Sequence, residues 1–247
     1  MIKLKSESEI KTMARSGAIT ARTMEEVKTK VRSGITTLEL DQIAENKIKQ
    51  LGGESSFKKV EGYRHSICVS PNDRVVHGIP GNQVLKEGDV LGIDLGAFYD
   101  GFHSDMAETV IVGEDKRSAR AFLDIGKKAL EEALAQVKTG NRIGDISSTI
   151  QERIEGAGYS IVRELVGHGV GRDLHEDPLI PGRGKRGSGE KIVAGMVLAV
   201  EVIYNEGGHQ VQLLEDGWTI STVDGSLSGL FERTIAVTKK GSVVLTQ

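Results

Sequence analysis

DVLGIDLGAFYDGFHSDMAETV, residues Asp89–Val110, reads as two apolar strands joined by a tight turn at Tyr99-Asp100-Gly101. Asp-Gly between strand-like runs is a hairpin signal. Asp94 sits in the middle of the first strand and Asp105 early in the second. A two-residue loop at Tyr99-Asp100 sets the two acids directly opposite each other. A loop at Asp100-Gly101 makes them diagonal neighbours on the same face, because side chains alternate with period two. Two carboxylates that close on an apolar hairpin repel each other and lose hydration, a cost that a bound cation removes. The spacing therefore predicts a metal site.

Upstream of the hairpin, Ser6-Glu7-Ser8-Glu9 forms a capping-box pattern ahead of Ile10, Met13, Ala14, Ala21, Met24, Val27 and Val31 at helical spacing. Gly34 ends that helix. Thr36-Thr37-Leu38-Glu39 opens a second, carried by Leu40, Ile43, Ala44, Ile48 and Leu51 and ended by Gly52-Gly53. Strand-like segments follow at Ser66–Val69, Val75–His77, Val90–Leu95 and Asp105–Val112, and the polar Gly113–Lys116 closes the half.

Downstream, the same order recurs. Ala119 to Val137 marks a helix broken at Gly140, and Ile143 to Ala157 marks another that ends at Gly158. VRSGITTLELDQIAENKIKQLGG from Val31 lies over VKTGNRIGDISSTIQERIEGAG from Val137 at an offset of 106, and EGDVLGID from Glu87 lies over AGMVLAVE from Ala194 at 107. Asp94 thereby corresponds to Glu201. An offset held through two helices and a strand indicates duplication, with halves of about 1–115 and 116–247 forming one domain, 1–247. The expected class is α+β: one curved, largely antiparallel sheet with helices on its outer face and a site between pseudo-twofold-related halves.

Composition narrows the function. The net charge of −3 offers no general attraction to nucleic acid or anionic membrane. A single cysteine, Cys68, excludes an intramolecular disulfide framework and fits a reducing, cytoplasmic setting. No apolar run reaches ~18 residues, and the N-terminus has no apolar signal core.

Glu201 lies within the apolar run Met196–Tyr204 and Glu232 within Leu230–Val237. With Asp94 and Asp105 they carry a charge of −4, which two divalent cations would neutralise. Gly167-His168-Gly169-Val170-Gly171-Arg172 offers an imidazole between glycines that let a ligand approach closely. His175 stands in the turn-prone Leu174–Pro178, and His77 precedes Gly78-Ile79-Pro80-Gly81. His65, His103 and His209 are read as structural. Oxygen donors with one nitrogen suit Mn²⁺, Fe²⁺, Co²⁺ or Zn²⁺, and a pair of such ions about 3.5–4 Å apart activates water and polarises a carbonyl. Gly182–Ser188 lacks the Lys-Ser/Thr of a phosphate loop and reads as a solvated basic loop. The zincin motif His-Glu-x-x-His does not occur, and Cys68 has no partner base, so it reads as a strand or pocket residue.

HGIP at His77–Pro80, the DGFHSD hairpin, GHGVGRDLHEDP at Gly167–Pro178 and DGWTISTVDGSLSGLFERT at Asp216–Thr234 together resemble type I methionine aminopeptidase, in that family's order and spacing over nearly the whole chain. The resemblance implies the pita-bread fold and a dinuclear site of Asp94, Asp105, His168, Glu201 and Glu232, with Asp105 and Glu232 bridging. It implies hydroxide attack on the first peptide carbonyl, with Glu201 handling the proton. His175 would stabilise the tetrahedral intermediate, and His77 would contact substrate near the scissile bond. Tyr63, Cys68 and Trp218 match positions around the methionine pocket. The implied activity is removal of the initiator methionine from nascent polypeptides when the second residue is small. The implied setting is a cytoplasmic monomer working near the ribosome, with no nucleic-acid or membrane binding of its own.

The chain departs from the family pattern at Phe57, at the Val60–His65 segment, at Val202 where a proline is common, and at Arg233 where a histidine is common. These departures bear on pocket shape, metal preference and rate, not on the ligands. Two other readings share the fold: another hydrolase, such as a proline-specific aminopeptidase or a creatinase-like enzyme, and a relative that has lost catalysis and serves as a binding protein. The DGWT…FE block speaks against the first and the intact acids against the second.

Overall fold

The computed structural model describes residues 1–247, with four α-helices and thirteen strands. The helices are α1 (Glu7–Lys30), α2 (Thr37–Gln50), α3 (Arg120–Leu134) and α4 (Ile143–Gly156). The first-half strands are β1 (Glu54–Ser55), β2 (Ile67–Pro71), β3 (Arg74–Val76), β4 (Val90–Tyr99) and β5 (Phe102–Ile111). The remainder are β6 (Ser160–Ile161), β7 (Val166–Gly169), β8 (Glu176–Pro181), β9 (Val197–Asn205), β10 (Val211–Leu213), β11 (Ile220–Thr222), β12 (Ser228–Thr238) and β13 (Gly241–Val244).

Both expected capping boxes are present. The Ser6 and Thr36 hydroxyls accept from the Glu9 and Glu39 amides, while the two glutamates reach back to the cap amides. At the far end of α2, Gly52 adopts φ 82, a left-handed turn that a Cβ would disfavour.

Ten strands form one antiparallel sheet with the path β1-β4-β5-β12-β9-β7-β8; β2 joins β4, β6 joins β9 and β13 joins β12. A smaller sheet, β10-β11-β3, lies beside it. Alternation sorts the side chains. Leu91, Ile93 and Leu95 of β4 turn one way and pack with Met24 and Val27 of α1 and Leu40 and Ala44 of α2. On β9, Leu198, Val200, Val202 and Tyr204 pack against Phe122, Leu130, Ile146 and Ile150 of α3 and α4. Each buried Leu, Ile, Val, Met or Phe among them contributes about 1.5–3 kcal/mol, so these two layers hold the helices to one face of the sheet. Gly92, Asp94 and Gly96, and Glu201 and Ile203, are left on the other face.

The hairpin takes the diagonal register: Asp94 faces Ala107, and Asp105 faces Gly96. Its loop is Asp100-Gly101, with φ 46 and 84. The alternative loop would force Tyr99 into the left-handed region, which aspartate tolerates far better than a bulky aromatic. Gly96 is required where it stands, because a Cβ there would lie 2.4 Å from the Ser104 carbonyl oxygen.

Candidate metal centre and its pocket

Four strands bring the four acids together. Asp94 comes from β4, Asp105 from β5, Glu201 from β9 and Glu232 from β12. All four line one cavity of about 200 Å³, together with His77, His168, His175, Tyr63, Cys68 and Trp218. Every site residue singled out from the sequence thus lies on the same cavity wall. Side-chain atoms of Asp105, His168 and Glu232 all fall within 4.8 Å of one another. His168 Nε2 is 3.5 Å from Glu201 Oε1 and 4.0 Å from Asp105 Oδ2.

The electrostatics of the acids are those of an uncompensated cluster. Burial pushes Asp94 up to about 7. Burial and then the neighbouring carboxylates push Asp105 and Glu232 well above the usual range, and Glu201 rises for the same two reasons. Asp94 Oδ1 and Glu232 Oε1 are buried with no hydrogen-bond partner in the protein. A buried carboxylate oxygen without a donor is costly, and these two open onto the same cavity as His168. The donor set fits divalent cations: hard oxygens, one imidazole, and orphaned lone pairs aimed inward.

His168 is prepared as the nitrogen donor. Burial, and then the adjacent His175, lower its pKa to about 4, so the ring is neutral and its contacts with Asp105 and Glu201 are not ion pairs. Its Nδ1 lies 2.8 Å from the Gly169 carbonyl oxygen. That contact places the proton on Nδ1 and leaves the Nε2 lone pair facing the acids. Gly169 permits the arrangement, since a Cβ there would meet the Asp177 carbonyl at 2.2 Å.

The other two histidines flank this centre. The His168 and His175 rings stand 4.4 Å apart, nearly edge to face. Partial desolvation lowers the pKa of the half-buried His77 and of the more exposed His175, so each is a neutral donor or acceptor at neutral pH. His77 adopts φ 58, unusual for a residue with a Cβ. Strain of this kind costs roughly 1–3 kcal/mol and persists where the surroundings over-determine it. Here Gly78 packs so tightly that a Cβ would lie 2.1 Å from the Val69 carbonyl, while the Gly78 carbonyl accepts from the Val69 amide at 2.8 Å.

Beside the histidines an apolar recess is built from Phe57, Tyr63, Cys68 and Leu174, with Val60, Ile79 and Trp218 packed against them. The Tyr63 and Trp218 rings are 5.1 Å apart. Tyr63 Oη donates to the Ile67 carbonyl at 2.8 Å and lies 3.1 Å from Cys68 Sγ. A small aromatic recess containing sulfur suits an unbranched, polarizable side chain.

The sequence reading missed the residues that brace this wall. Buried Asp41 of α2 accepts from the Ser66 amide at 2.6 Å and the Ile67 amide at 3.2 Å, and its other oxygen is 3.0 Å from His65 Nδ1. It ties the pocket segment to the helix. Glu176, next to His175, forms a buried ion pair with Lys5 at 2.5 Å. Leu165, Val166, Leu174 and Ile203 line the cavity as well. Of these only Ile203 carried a local signal, two residues beyond Glu201 on the same face of a strand.

The profile of metallopeptidase family M24 matches residues 11–239. The chain is 47% identical to methionine aminopeptidase 1 of Bacillus subtilis over 247 residues, covering all of both chains. It is 45% identical over 246 residues to a methionine aminopeptidase of Clostridium perfringens, covering 100% of this chain and 99% of that one. The crystal structure of a methionine aminopeptidase from Thermotoga maritima superposes with a TM-score of 0.97 at 42% identity, with full coverage of both. The prolidase of Pyrococcus furiosus shares the fold at a TM-score of 0.80 and 22% identity, over 99% of this chain and 65% of that one.

Proposed function

The chain belongs to metallopeptidase family M24, and from that premise we propose that it is a metal-dependent aminopeptidase that removes the initiator methionine from polypeptides whose second residue is small. The observation that carries the reading is four carboxylates, two of them buried and two partly buried, and one neutral imidazole converging on a cavity whose wall includes an apolar recess. Full-length identity to methionine aminopeptidases supports it. The fold is the pita-bread fold, and the proposed catalytic unit is the whole chain, 1–247, with repeat halves of about 1–115 and 116–247.

In the proposed site Asp94, Asp105, His168, Glu201 and Glu232 would hold two divalent ions, of Mn²⁺, Fe²⁺, Co²⁺ or Zn²⁺ type. The chemistry supplied by such a pair, when bound, is water activation and carbonyl polarisation. The protein's own residues do the rest. Tyr63, Cys68 and Trp218 receive the methionine side chain and, with Phe57, set its depth. His77 contacts the substrate near the scissile bond. Glu201, whose side chain is 14% exposed toward the cavity, takes the proton released by the attacking water. His175, exposed at the cavity and with its pKa lowered by partial desolvation, donates a hydrogen bond to the oxyanion as it develops. The proposed substrates are the N-termini of nascent chains, met in the cytoplasm by a monomer. No helix of the protein is long and apolar enough to cross a membrane.

Protein reconstituted with Mn²⁺ or Co²⁺ is expected to release methionine from peptides beginning Met-Gly or Met-Ala and to spare those beginning Met-Lys. Absence of release after reconstitution would overturn the reading. Release from Xaa-Pro peptides instead would move the chain to the proline-specific branch of the fold.

A further inference from the structure

The seam between β5 and β12 is built differently from the rest of the sheet. Only Glu232↔Ala107 and Arg233↔Met106 are paired there, whereas β4 and β5 pair over ten residues and β9 and β12 over nine. Two residues beyond the Ala107/Glu232 pair on each strand, a threonine hydroxyl takes over from the ladder. Thr234 Oγ1 accepts from the Asp105 amide at 2.9 Å and donates to the Asp105 carbonyl at 2.8 Å. Thr109 Oγ1 accepts from the Leu230 amide at 2.9 Å and donates to the Leu230 carbonyl at 2.8 Å. Both threonines are essentially inaccessible to solvent. The local twofold of an antiparallel pair through Ala107 and Glu232 carries one threonine onto the other.

A hydroxyl has one proton and two lone pairs, so a single threonine satisfies both main-chain groups of the residue opposite. Interposing it also lengthens the span between the strands relative to a direct amide–carbonyl bond. The seam is therefore held apart by a defined spacer where two buried carboxylates must coexist. One of the two spacers grips Asp105 itself. The other grips Leu230, whose side chain joins Val75, Val76 and Ile203 in an apolar cluster.

We propose that Thr234 is a positioning residue for the metal centre: its hydroxyl sets the main chain of Asp105 against β12 so that the Asp105 and Glu232 carboxylates stay within reach of a shared ion. The inference rests on the metallo-aminopeptidase reading. Thr109, with identical bonds to an apolar residue, is the built-in control for loss of a seam hydrogen bond without loss of ligand placement.

The test is calorimetric titration of metal-stripped protein with Mn²⁺, alongside urea unfolding and steady-state kinetics on a Met-Ala peptide. Thr234→Val is expected to weaken Mn²⁺ binding about tenfold or more, the size of one or two lost buried hydrogen bonds. It should lower kcat while leaving KM within about twofold, because the methionine recess is untouched. Thr234→Ser, which keeps the hydroxyl, is expected to bind Mn²⁺ within about threefold of wild type. Thr109→Val should unfold at a urea concentration close to that of Thr234→Val yet bind Mn²⁺ within about twofold of wild type. Where Thr234→Val does not fold, Thr234→Ala carries the same expectation. Equal loss of Mn²⁺ affinity in the Thr109 and Thr234 variants, or no loss in either, would overturn the proposal. Wild-type protein that binds Mn²⁺ but releases no methionine would overturn the functional reading alone, leaving the binding comparison to decide the role of Thr234.

Discussion

Glu201 and Glu232 stand directly opposite each other in the β9–β12 ladder. Like charges at directly opposed positions destabilise a sheet, and both of these are desolvated, with Asp94 and Asp105 beside them. A sheet that places four acids there in its core is built around something positive. The helices on the opposite face supply the apolar burial that makes such a concentration of charge tolerable.

Metal-free protein should reveal this cost as a pH dependence of stability. The Asp94 carboxyl is raised from its ordinary range to about 7. Its contribution to folding is therefore complete below about pH 4, its unfolded value, and is lost as pH rises through about 7. Asp94→Asn removes that loss. Stripped of metal, the variant is expected to be more stable than wild type at pH 8 by on the order of 2–4 kcal/mol, and to match it near pH 4. Urea midpoints across the pH range check this, and a gap that widens toward acid would contradict it. With Mn²⁺ present the order at pH 8 should reverse, because the cation favours the carboxylate.

Asp105→Asn should reduce turnover by a factor of about 10³ or more, since in the proposed site it would remove a buried charge that balances the bound cations. His175→Ala should lower kcat by roughly 10²-fold, the usual size of one oxyanion donor, with bound metal unchanged. Metal content of the purified variants, measured beside the kinetics, separates the two. Loss of metal from His175→Ala would show that its role is not the one assigned.

Lys5 and Glu176 pair at 2.5 Å with side chains 5% and 2% exposed. Glu176 also accepts from the Arg172 and Asp173 amides, closing the loop that carries His175. Lys5→Met leaves that carboxylate buried without its cation and should cost about 3 kcal/mol of stability. Removing both charges in Lys5→Met/Glu176→Gln should recover most of it. Denaturant unfolding of the single and double variants reads the difference, and additive losses would rule out the pairing as the cause.

Cys68 pairs with Asp94 across β2 and β4 and is buried. Burial first, and then the Asp94 charge, push its thiol well above the ordinary range. Alkylation by iodoacetamide at pH 8 is expected to be at least about 10²-fold slower in the native protein than in urea. Rapid native labelling would mean that the recess opens far more widely than its packing implies.

How far the sequence reached is clearest in particular residues. The capping boxes at Ser6 and Thr36, the glycine stop at Gly52 and the alternation of Leu91, Ile93 and Leu95 around Asp94 all act over a few residues. Such patterns depend on local dihedrals and on side-chain period, so they were legible without neighbours. The repeat offset and the four acids were legible for the same reason. Remote pairings are a different matter, because nothing in the local code of one strand names its partner. Packing alone set Glu201 opposite Glu232, let Thr234 grip Asp105, and brought Lys5 to Glu176 across 171 residues. The sequence by itself determined the helices, the hairpin and the inventory of metal-seeking side chains. Only the tertiary structure decided how they meet: burial of the apolar faces against the helices leaves the polar faces one cavity in which to converge.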